Sequence, residues 1–476
     1  MIRISALVPV WNEERRLAAS LEILLHHFSD QEKDGSEIVI CADGCTDGTL
    51  NVAKEYAEKF PQIKIADWPE RLGKGGGILN GLRFAGGDIT VITDVDLSAP
   101  MEQLPKLVSQ VASGKADLII GSRNLAQSII TEKPPIHRKV LGKGFNLLFR
   151  LLFAEDFHDT QCGLKVVRTR VLRDLAEDLT VEGYAFDIDL IVKALRKGYK
   201  VVEVPVVWGY HKGSKVGALH QMFKMAHDLI LVWLENKKRE PRQRTSERMK
   251  RAFYDNVAGD TYHKATRSLF LPRSAWHRGK NILIAQFVGK HKKVLDVGCG
   301  SGAIVERLLP ECDICGIDIG KGFVRFCQDR YGRSGKFSIV RSDARQIPFH
   351  SESFDYVICS EVLEHVRDRM AVLNEFFRSL RPGGRLILTT PKMSVRWCLL
   401  EAVWTRIRRK MIEIEHRPLT EGRLRYLVSL AGFRILTCRK ILLGFLVLCV
   451  VEKPRTCACL APCGSIHSAD LVRDSN

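Results

Sequence analysis

Apolar and amphipathic stretches alternate through the first half of the chain. The apolar runs are short and rich in β-favouring residues: ISALVPV, SEIVICADG, IKIADW, ITVITDVD and DLIIGSR. The stretches between them place apolar residues at helical spacing, as in residues 12–28. Strands that alternate with helices predict an α/β domain in which helices cover a largely parallel sheet.

A second alternating pattern begins near Lys292, where KKVLDVGCGSGAIVERLL predicts a strand, a glycine-rich turn and a helix. The stretch before it, ENKKREPRQRTSERMKRAFYD, is strongly basic and includes Pro241, which is typical of a domain boundary. We therefore predict four segments: a first domain over 1–236, a solvated linker over 237–252, a second α/β domain over 253–455 and a disordered tail over 456–476.

Polar residues stand at the ends of successive predicted strands in the first half. They are Asn12, Glu13, Asp43, Asp47, Lys74, Asp94, Asp96 and Arg123. Ligands of such sheets bind beyond the carboxyl ends of the strands, so a series of polar residues on consecutive strands indicates one ligand site.

Asp94 and Asp96 follow the apolar run that starts at Ile89. Alternate residues of an extended chain point the same way, so both carboxylates can converge on one object. A divalent cation would relieve their mutual repulsion, which makes the pair a candidate metal site. The simpler alternative is two acids in a polar loop.

The segment RLGKGGGILNGL, Arg71 to Leu82, is rich in glycine. Glycines let the backbone approach a ligand closely, and Lys74 is able to reach a phosphate. The spacing and the missing final Ser or Thr exclude a Walker A loop. By itself, such a segment is more often a plain turn.

In combination and in this order, VPVWNEE, VICADGCTDGT, RLGKGGGILNGL and TDVDLSAP resemble the family 2 glycosyltransferases, which have the GT-A fold. IIGSRN, HDTQCGLKVV, EGYAFDIDLI and VPVVWGYHKGSKV are similar to segments of the dolichyl-phosphate β-glucosyltransferases and their polyprenyl-phosphate relatives. The resemblance covers about residues 2–236.

This resemblance implies transfer of a hexose, with UDP-glucose as the expected donor, to a polyprenyl phosphate. It assigns Mg²⁺ or Mn²⁺ binding to Asp94 and Asp96, nucleotide contacts to Glu13, Asp43 and Lys74, sugar or diphosphate contacts to Asp159 and Gln161, and acceptor-phosphate contacts to Arg123 and Arg138. The family usually shows two acids before Gly-Ser, whereas here Ala42 precedes Asp43. That departure leaves the contact with the nucleotide base, and hence the UDP preference, open.

A lipid phosphate and a hydroxyl place different demands on the enzyme. A phosphate monoester is mostly dianionic near neutrality, with a second pKa of about 6, and needs cations to position it. Arg123, Arg138, Lys139 and Lys143 fit that demand. A sugar or protein hydroxyl, the alternative acceptor, needs a general base. Asp187 and Asp189 are the candidates for that base, and flanking a helix start is their alternative role.

Contact with a membrane surface is predicted from HRKVLGKGFNLLFRLLF, residues 137–153, which mixes basic and bulky apolar residues. An ordinary core-facing helix is the alternative, and residues 219–238 are a second candidate for lipid contact. The longest strongly apolar run, residues 441–451, is shorter than the roughly 18–20 residues of a spanning helix. We expect a cytoplasmic protein that binds peripherally to the cytoplasmic face of a membrane.

In the second half, Gly298, Gly300 and Gly302 form a glycine-rich turn, and Asp318 ends the next predicted strand. A carboxylate there accepts from ribose hydroxyls, a pattern that alone suits NAD equally. Together with FSIVRSDARQIPFHSESFDYVICSEVLEHV and SLRPGGRLILTTP, it resembles the class I S-adenosylmethionine-dependent methyltransferases over about residues 253–452.

The methyltransferase resemblance implies a Rossmann-like domain that binds S-adenosylmethionine. It assigns Asp296 and the glycine turn to the methionine part, Asp318 to the ribose, and Asp343 with Ala344 to the adenine. AFYDNVAGDTYHK, residues 252–264, is similar to the N-terminal lid of such enzymes. His365 is either a base for an O-methyl acceptor or a structural residue.

Composition narrows the partners. The net charge of +18 suits anionic lipid head groups or phosphate-rich substrates. Without zinc-finger spacing or an aromatic RNA-binding signature, nucleic acid is the weaker partner class. The 14 cysteines lack disulfide-framework spacing and no signal-peptide pattern is seen, so a reducing cytosol is expected. Cys457, Cys459 and Cys463 have no evident fourth zinc ligand.

We therefore predict a bifunctional transferase that glycosylates a polyprenyl or dolichyl phosphate with inversion and methylates an unidentified acceptor. One alternative is a glycosyltransferase that uses a hydroxyl acceptor. The other is a binding or scaffolding protein with a degenerate methyltransferase half, against which the intact glycine turn and Asp318 argue.

Overall fold

The computed structural model describes residues 2–29, 35–69, 71–176, 178–211, 219–238, 255, 263, 272–366, 368–391, 419–442 and 444–455. Most of the predicted linker, most of the lid-like segment and the whole of the tail lie outside the described residues. The chain forms two compact units, each with its own sheet and hydrophobic core.

Where the first unit is described, its strands are β1 (Ile4–Val10), β2 (Glu37–Asp43), β3 (Ile63–Trp68), β4 (Ile89–Ile92), β5 (Leu118–Ser122), β6 (Ile129–Glu132), β7 (Lys165–Arg168), β8 (Val201–Pro205) and β9 (Val207–Gly209). Seven of them form one sheet in the order β3-β2-β1-β4-β7-β5-β8, and β6 pairs with β9 separately. Only β7 runs antiparallel within that sheet, so the prediction of a largely parallel sheet is confirmed.

The helices described beside these strands are α1 (Glu14–Ser29), α2 (Thr49–Lys59), α3 (Lys74–Leu82), α4 (Leu104–Ala112), α5 (Ile136–Phe153), α6 (Thr169–Ala176), α7 (Phe186–Arg196) and α8 (Leu219–Lys238). A 3₁₀ turn, Met101–Gln103, precedes α4. The central strands are buried along their whole length in β2, β4 and β5, as expected for a sheet with both faces covered.

Two local features differ from the sequence expectations. The glycine-rich segment is a helix from Lys74 onward instead of a turn. Glycine weakens a helix, but here it permits contacts that a side chain would prevent: a Cβ on Gly81 would lie 2.2 Å from the Cys41 sulfur. In addition, β4 ends at Ile92, so Asp94 and Asp96 follow the strand in a turn where Leu97 has φ 45°. Strand alternation therefore does not set the directions of the two carboxylates.

The second unit has strands β10 (Lys293–Val297), β11 (Asp313–Asp318), β12 (Phe337–Arg341), β13 (Phe354–Ser360), β14 (Leu380–Pro391), β15 (Arg434–Ile441) and β16 (Leu446–Glu452). They form one sheet in the order β12-β11-β10-β13-β14-β16-β15. The first five strands of that order are parallel, and β16 and β15 are antiparallel to their neighbours.

The remaining helices are α9 (Pro272–Ala285), α10 (Val305–Leu308), α11 (Lys321–Tyr331), α12 (Arg369–Ser379) and α13 (Glu421–Leu430), with 3₁₀ turns at Gly332–Ser334 and Leu363–His365. Both units are thus α/β, and the second has the Rossmann-like order predicted for it. In the part of the chain that is described, no helix combines the length and the apolar character needed to cross a membrane.

Candidate active sites

In the first unit, Asp43 supports the glycine-rich segment from the end of β2. Its two carboxylate oxygens accept from the backbone N–H groups of Leu72 and Gly73, each at 2.7 Å. Burial raises the pKa of Asp43, and these two N–H groups partly offset that effect. Asp43 therefore shapes the loop that was expected to meet the nucleotide.

The glycines of this segment pack directly against the EGYAF stretch. Gly73 has φ 109°, and a Cβ there would lie 2.6 Å from the Glu182 carbonyl oxygen. A Cβ on Gly75 would lie 2.6 Å from the Phe186 ring, and the Gly76 N–H donates to the same Glu182 carbonyl at 3.1 Å. These close contacts fix the backbone position of Lys74, which is the first residue of α3.

Lys74 pairs with two carboxylates. Its Nζ lies 3.0 Å from Asp94 Oδ1 and 3.5 Å from Asp187 Oδ2. Burial alone would lower the pKa of Lys74, but Asp187 and then Asp94 outweigh it, so the pKa is raised. Burial would likewise raise the pKa of Asp94, yet Lys74, with smaller contributions from Lys165 and Arg123, holds it below its usual value.

Asp94 still has an open side. Its side chain is 42% exposed, although a Cβ on the neighbouring Gly163 would lie 2.2 Å from its Oδ2. Asp96 accepts from the Ser98 N–H at 3.1 Å. Among the described residues, no group of three or more His, Cys, Asp or Glu is placed to hold a metal ion.

Arg123 and Asp159, predicted as separate contact residues, form a bidentate pair. Arg123 Nε and Nη2 lie 2.6 and 2.9 Å from the two carboxylate oxygens, and the Arg123 backbone N–H donates to one of them at 3.0 Å. Burial would raise the pKa of Asp159, but Arg123 holds it below its usual value. Gln161 is fixed beside the pair, because its backbone N–H donates to Asp159 Oδ1 at 3.0 Å.

Several residues that contact the predicted site residues were not identified from the sequence. Trp208 lies under the Arg123 guanidinium, and Tyr210 lies under that of Arg138, at 5.3 and 5.5 Å from the ring centroids. The Glu203 carboxylate accepts from the Asp159 N–H at 2.7 Å. Lys165 is fully buried and pairs with Asp187 at 2.8 Å. A lysine inside the apolar run of β7 was the signal available for the last of these.

Glu13 lies after β1, where its carboxylate is 3.2 Å from Arg16 and its backbone N–H donates to Thr49 Oγ1 at 2.7 Å. Asp187 and Asp189, the candidate bases, are both buried and paired with lysines, Asp189 with Lys193 at 2.9 Å. Both carboxylates lie in the first turn of α7, which agrees with the helix-start alternative, and their buried ion pairs do not suit the role of general base.

In the second unit, a cavity of about 300 Å³ lies at the carboxyl ends of β10, β11 and β13. It is lined by six of the seven residues assigned to the cofactor: Asp296, Gly298, Gly300, Asp318, Asp343 and Ala344. Gly302 is not among the lining residues, but it has φ 74° and a Cβ there would lie 2.5 Å from Tyr331.

Two carboxylates dominate this cavity. Asp318 accepts from the backbone N–H groups of Gly300 and Gly320 at 2.9 and 2.8 Å, so it anchors the glycine turn. Asp296 Oδ2 is buried without a hydrogen-bond partner. Burial, followed by the charge of Asp318, raises the pKa of Asp296 to about 7. An unmatched buried carboxylate suits a cationic ligand such as S-adenosylmethionine, whose sulfonium and ammonium groups supply the missing charge.

Basic and acidic side chains lie together on one wall of this cavity. Glu361 has φ 56°, a strained backbone conformation for a residue other than glycine, and its carboxylate contacts Lys280 and lies 3.8 Å from His277 Nδ1. His365 lines the same cavity. His365 was noted from the sequence, whereas His277 and Lys280, which lie on α9, were not.

Comparisons with known proteins give separate matches for the two halves of the chain. The family model described as "Glycosyl transferase family 2" matches residues 5–176, and the model described as "Methyltransferase domain" matches residues 295–388. A dolichyl-phosphate beta-glucosyltransferase of Trichomonas vaginalis is 32% identical over 48% of this chain and 73% of the relative. The Drosophila melanogaster enzyme of that name is 30% identical over 49% and 75%.

Glycosyltransferase AglD of Haloferax volcanii is 29% identical over 49% of this chain, but the match spans only 37% of that relative. Among solved structures, a SAM-dependent methyltransferase from Methanosarcina mazei is 22% identical, with a TM-score of 0.31 over 37% of this chain and 98% of its own. The methyltransferase in a Haloferax volcanii complex with Trm112 is 20% identical, with a TM-score of 0.36 over 42% and 97%. Through its first half the chain belongs to glycosyl transferase family 2, with dolichyl-phosphate glucosyltransferase relatives, and its second half is a methyltransferase domain.

Proposed function

We propose that the first half transfers glucose from UDP-glucose to a dolichyl or related polyprenyl phosphate, with inversion at the anomeric carbon. The observation that carries this proposal is the accessible Asp94 carboxylate beyond the carboxyl end of the central strand β4, with Lys74 against it and Arg123 close enough to influence its pKa. The carboxyl end of such a sheet suits a nucleoside diphosphate sugar, whose phosphates need cations and a metal ligand. The relatives named as dolichyl-phosphate glucosyltransferases supply the donor and acceptor classes.

The donor set fits a divalent cation that arrives with its substrate. Magnesium is usually bound through one or two carboxylates together with substrate phosphates, and Asp94 and Asp96 are two carboxylates. A cation held there would offset charge on the leaving nucleoside diphosphate. Asp43 and the glycine-rich segment give the nucleotide a rigid backbone wall.

A phosphate acceptor suits the site better than a hydroxyl. Asp187 and Asp189 are held in buried ion pairs, so neither is available as the general base that a hydroxyl needs. Arg138 lies over Tyr210 at the start of α5, and its planar guanidinium suits a phosphate, so we assign it to the incoming lipid phosphate.

Helix α5 supports a peripheral position at a membrane. Ile136, Val140, Leu147 and Leu151 are all exposed and fall within about 60° of one another on a helical wheel. Arg138, Lys139, Lys143 and Arg150 lie along the same helix. On the same wheel Lys139, Lys143 and Arg150 border one side of the apolar stripe, an arrangement that suits an anionic lipid surface, whereas Arg138 lies nearly opposite the stripe and over Tyr210.

The glucosyl transfer is tested with UDP-[¹⁴C]glucose, Mn²⁺ and dolichyl phosphate in detergent, by counting lipid-extracted label. Wild type is expected to form labelled lipid, and Asp96→Asn to lose about a hundredfold of the rate because a ligand to the diphosphate cation is removed. The exposed carboxylate of Asp174 on α6 gives the matched control, Asp174→Asn, which should retain the rate. Equal rates in Asp96→Asn and wild type would refute the metal assignment.

We further propose that the second half binds S-adenosylmethionine, which supplies the methyl group, with Asp296 facing the cationic part and Asp318 the ribose. The orphaned Asp296 Oδ2 in the cavity is the observation behind this proposal. Calorimetric titration of the full chain with S-adenosylmethionine should detect binding, and Asp318→Ala should abolish it. A wild-type chain that fails to bind would favour the scaffold with a degenerate half.

A further inference from the structure

Four charged side chains of the first unit form one chain of contacts. Lys165 pairs with Asp187 at 2.8 Å, Asp187 with Lys74 at 3.5 Å, and Lys74 with Asp94 at 3.0 Å. Charges alternate along this chain, and its inner end is sealed, since Lys165 is fully buried and also donates to the Cys162 carbonyl at 2.7 Å. Exposure rises only at the outer end, where the Asp94 side chain is 42% accessible.

The inner pair gives Lys74 two alternative positions. Because Lys165 already balances Asp187, Lys74 is not required there to neutralise a buried carboxylate. Lys74 is a flexible side chain that starts from a fixed backbone position at the beginning of α3. It can therefore release Asp94 without leaving either Asp187 or itself far from an opposite charge, provided that a new anion enters the site.

At the outer end of this chain of contacts, a divalent cation would have too few protein ligands. A divalent cation needs Asp94, but the ammonium of Lys74 is already against Asp94 Oδ1. The described residues provide no cluster of three or more acidic, His or Cys side chains that would hold the ion unaided. The cation and Lys74 thus compete for one carboxylate, and the donor diphosphate is a partner for both of them.

We propose that Lys74 holds the place of the divalent cation beside Asp94 in the donor-free protein and transfers to the donor diphosphate when the cation binds. The inference rests on the proposed use of a nucleoside diphosphate sugar. It makes Lys74 a positioning residue that couples the two ligands: each pays less to bind once the other is present, and the coupling is equal in both directions.

The test is calorimetric titration of the full chain with MnCl₂, alone and with saturating UDP. In wild type, Mn²⁺ alone should bind weakly, and UDP should strengthen it by a factor within the usual range of about 5- to 150-fold. Lys74→Met should bind Mn²⁺ alone at least about fivefold more tightly than wild type, since Asp94 is no longer paired, and UDP should enhance that binding much less. If Lys74→Met binds Mn²⁺ alone no better than wild type does, the inference is overturned.

Three further variants keep this result specific. Lys74→Arg retains the charge and should resemble wild type, and Lys106→Met removes an exposed lysine of α4 and should do the same. Asp94→Asn combined with Lys74→Met should lose the gained Mn²⁺ affinity, and persistence of the gain would overturn the assignment to Asp94. Lys74→Gln replaces Lys74→Met if circular dichroism shows the latter to be unfolded.

The proposed donor and the proposed role of Lys74 can be refuted separately. If wild type does not bind UDP even with Mn²⁺, the proposed donor is wrong, while the Mn²⁺ titrations without UDP still compare Lys74→Met with wild type. If UDP and Mn²⁺ bind synergistically in wild type and equally so in Lys74→Met, the donor assignment stands and the place-holding role of Lys74 is refuted.

Discussion

Asp296 is the residue whose protonation should control cofactor binding in the second half. Burial, followed by the charge of Asp318, raises its pKa to about 7, so it is largely neutral at pH 6 and largely ionised at pH 8. A cationic cofactor favours the ionised form and would lower this pKa on binding. We expect the affinity for S-adenosylmethionine to rise about tenfold from pH 6 to pH 8, as measured by calorimetry.

His277 and His365 line the same cavity, and their protonation at low pH would also repel a cation. Asp296→Asn separates the two effects, because any pH dependence that remains in it belongs to the histidines. The variant should bind weakly and with a much flatter pH profile. An unchanged slope in Asp296→Asn would contradict the assignment to Asp296.

Gly163 should matter to glycosyl transfer through Asp94. A Cβ at position 163 would lie 2.2 Å from Asp94 Oδ2, so Gly163→Ala must move that carboxylate. Because a misplacement of about 1 Å costs up to about a hundredfold in rate, we expect glucosyl transfer to fall by ten- to a hundredfold. Gly86→Ala is the control, since its Cβ would meet Glu37 at an ordinary 3.6 Å. Similar rates for both variants would show that Asp94 tolerates displacement.

The residues that sequence alone identified and those it missed differ in a physical way. Asp94, Lys74 and the glycine turn of the second half stand within recognisable motifs, and the sequence predicts them as ligand contacts. Lys165 was missed and Asp187 was named only as a candidate base or helix-start residue, because no spacing along the chain reveals their buried ion pair between β7 and α7. Arg123 and Asp159 were both found, but their pairing depends on a contact across 36 positions.

At the scale of elements, α5 carries a testable surface. Its exposed stripe predicts that the protein sediments with vesicles that contain anionic lipid. Leu151, which is 74% exposed, contributes apolar area to that stripe, so Leu151→Glu should weaken vesicle binding roughly tenfold, the effect of losing one buried leucine. Ile23→Glu, at a 47% exposed position on α1, should bind as wild type does. Equal loss in both variants would indicate a general charge effect.

Element boundaries were predicted well where the apolar pattern is strong. β1 and β3 coincide with ISALVPV and IKIADW, and α8 spans exactly the residues proposed for it. The pattern failed at α3, because four glycines within nine residues argue against a helix unless tertiary packing requires small side chains. It also extended β4 too far, since the apolar run continues past Ile92 into the turn that carries the two aspartates.

At the scale of the whole molecule, the described residues form two seven-stranded sheets and a separate pair of short strands, and each unit has its own hydrophobic core and its own candidate site. Asp96 lies in the turn after β4 of the first unit, whereas Asp318 anchors the glycine turn of the second. Sequence motifs predicted this division, because each sheet is read from its own alternation of strands and helices. They do not identify a methyl acceptor.

Separate sites predict separable activities. Asp96→Asn should lower glucosyl transfer about a hundredfold and leave the affinity for S-adenosylmethionine unchanged, because the turn after β4 belongs to the first unit and the cavity is lined by residues of the second. Asp318→Asn should do the reverse, since it weakens only the glycine turn of the second unit. Measuring both readouts on both variants of the full chain gives a two-by-two comparison. Loss of both activities in either variant, with unfolding excluded by circular dichroism, would mean that the two sites are coupled, and the fusion would then be a functional unit.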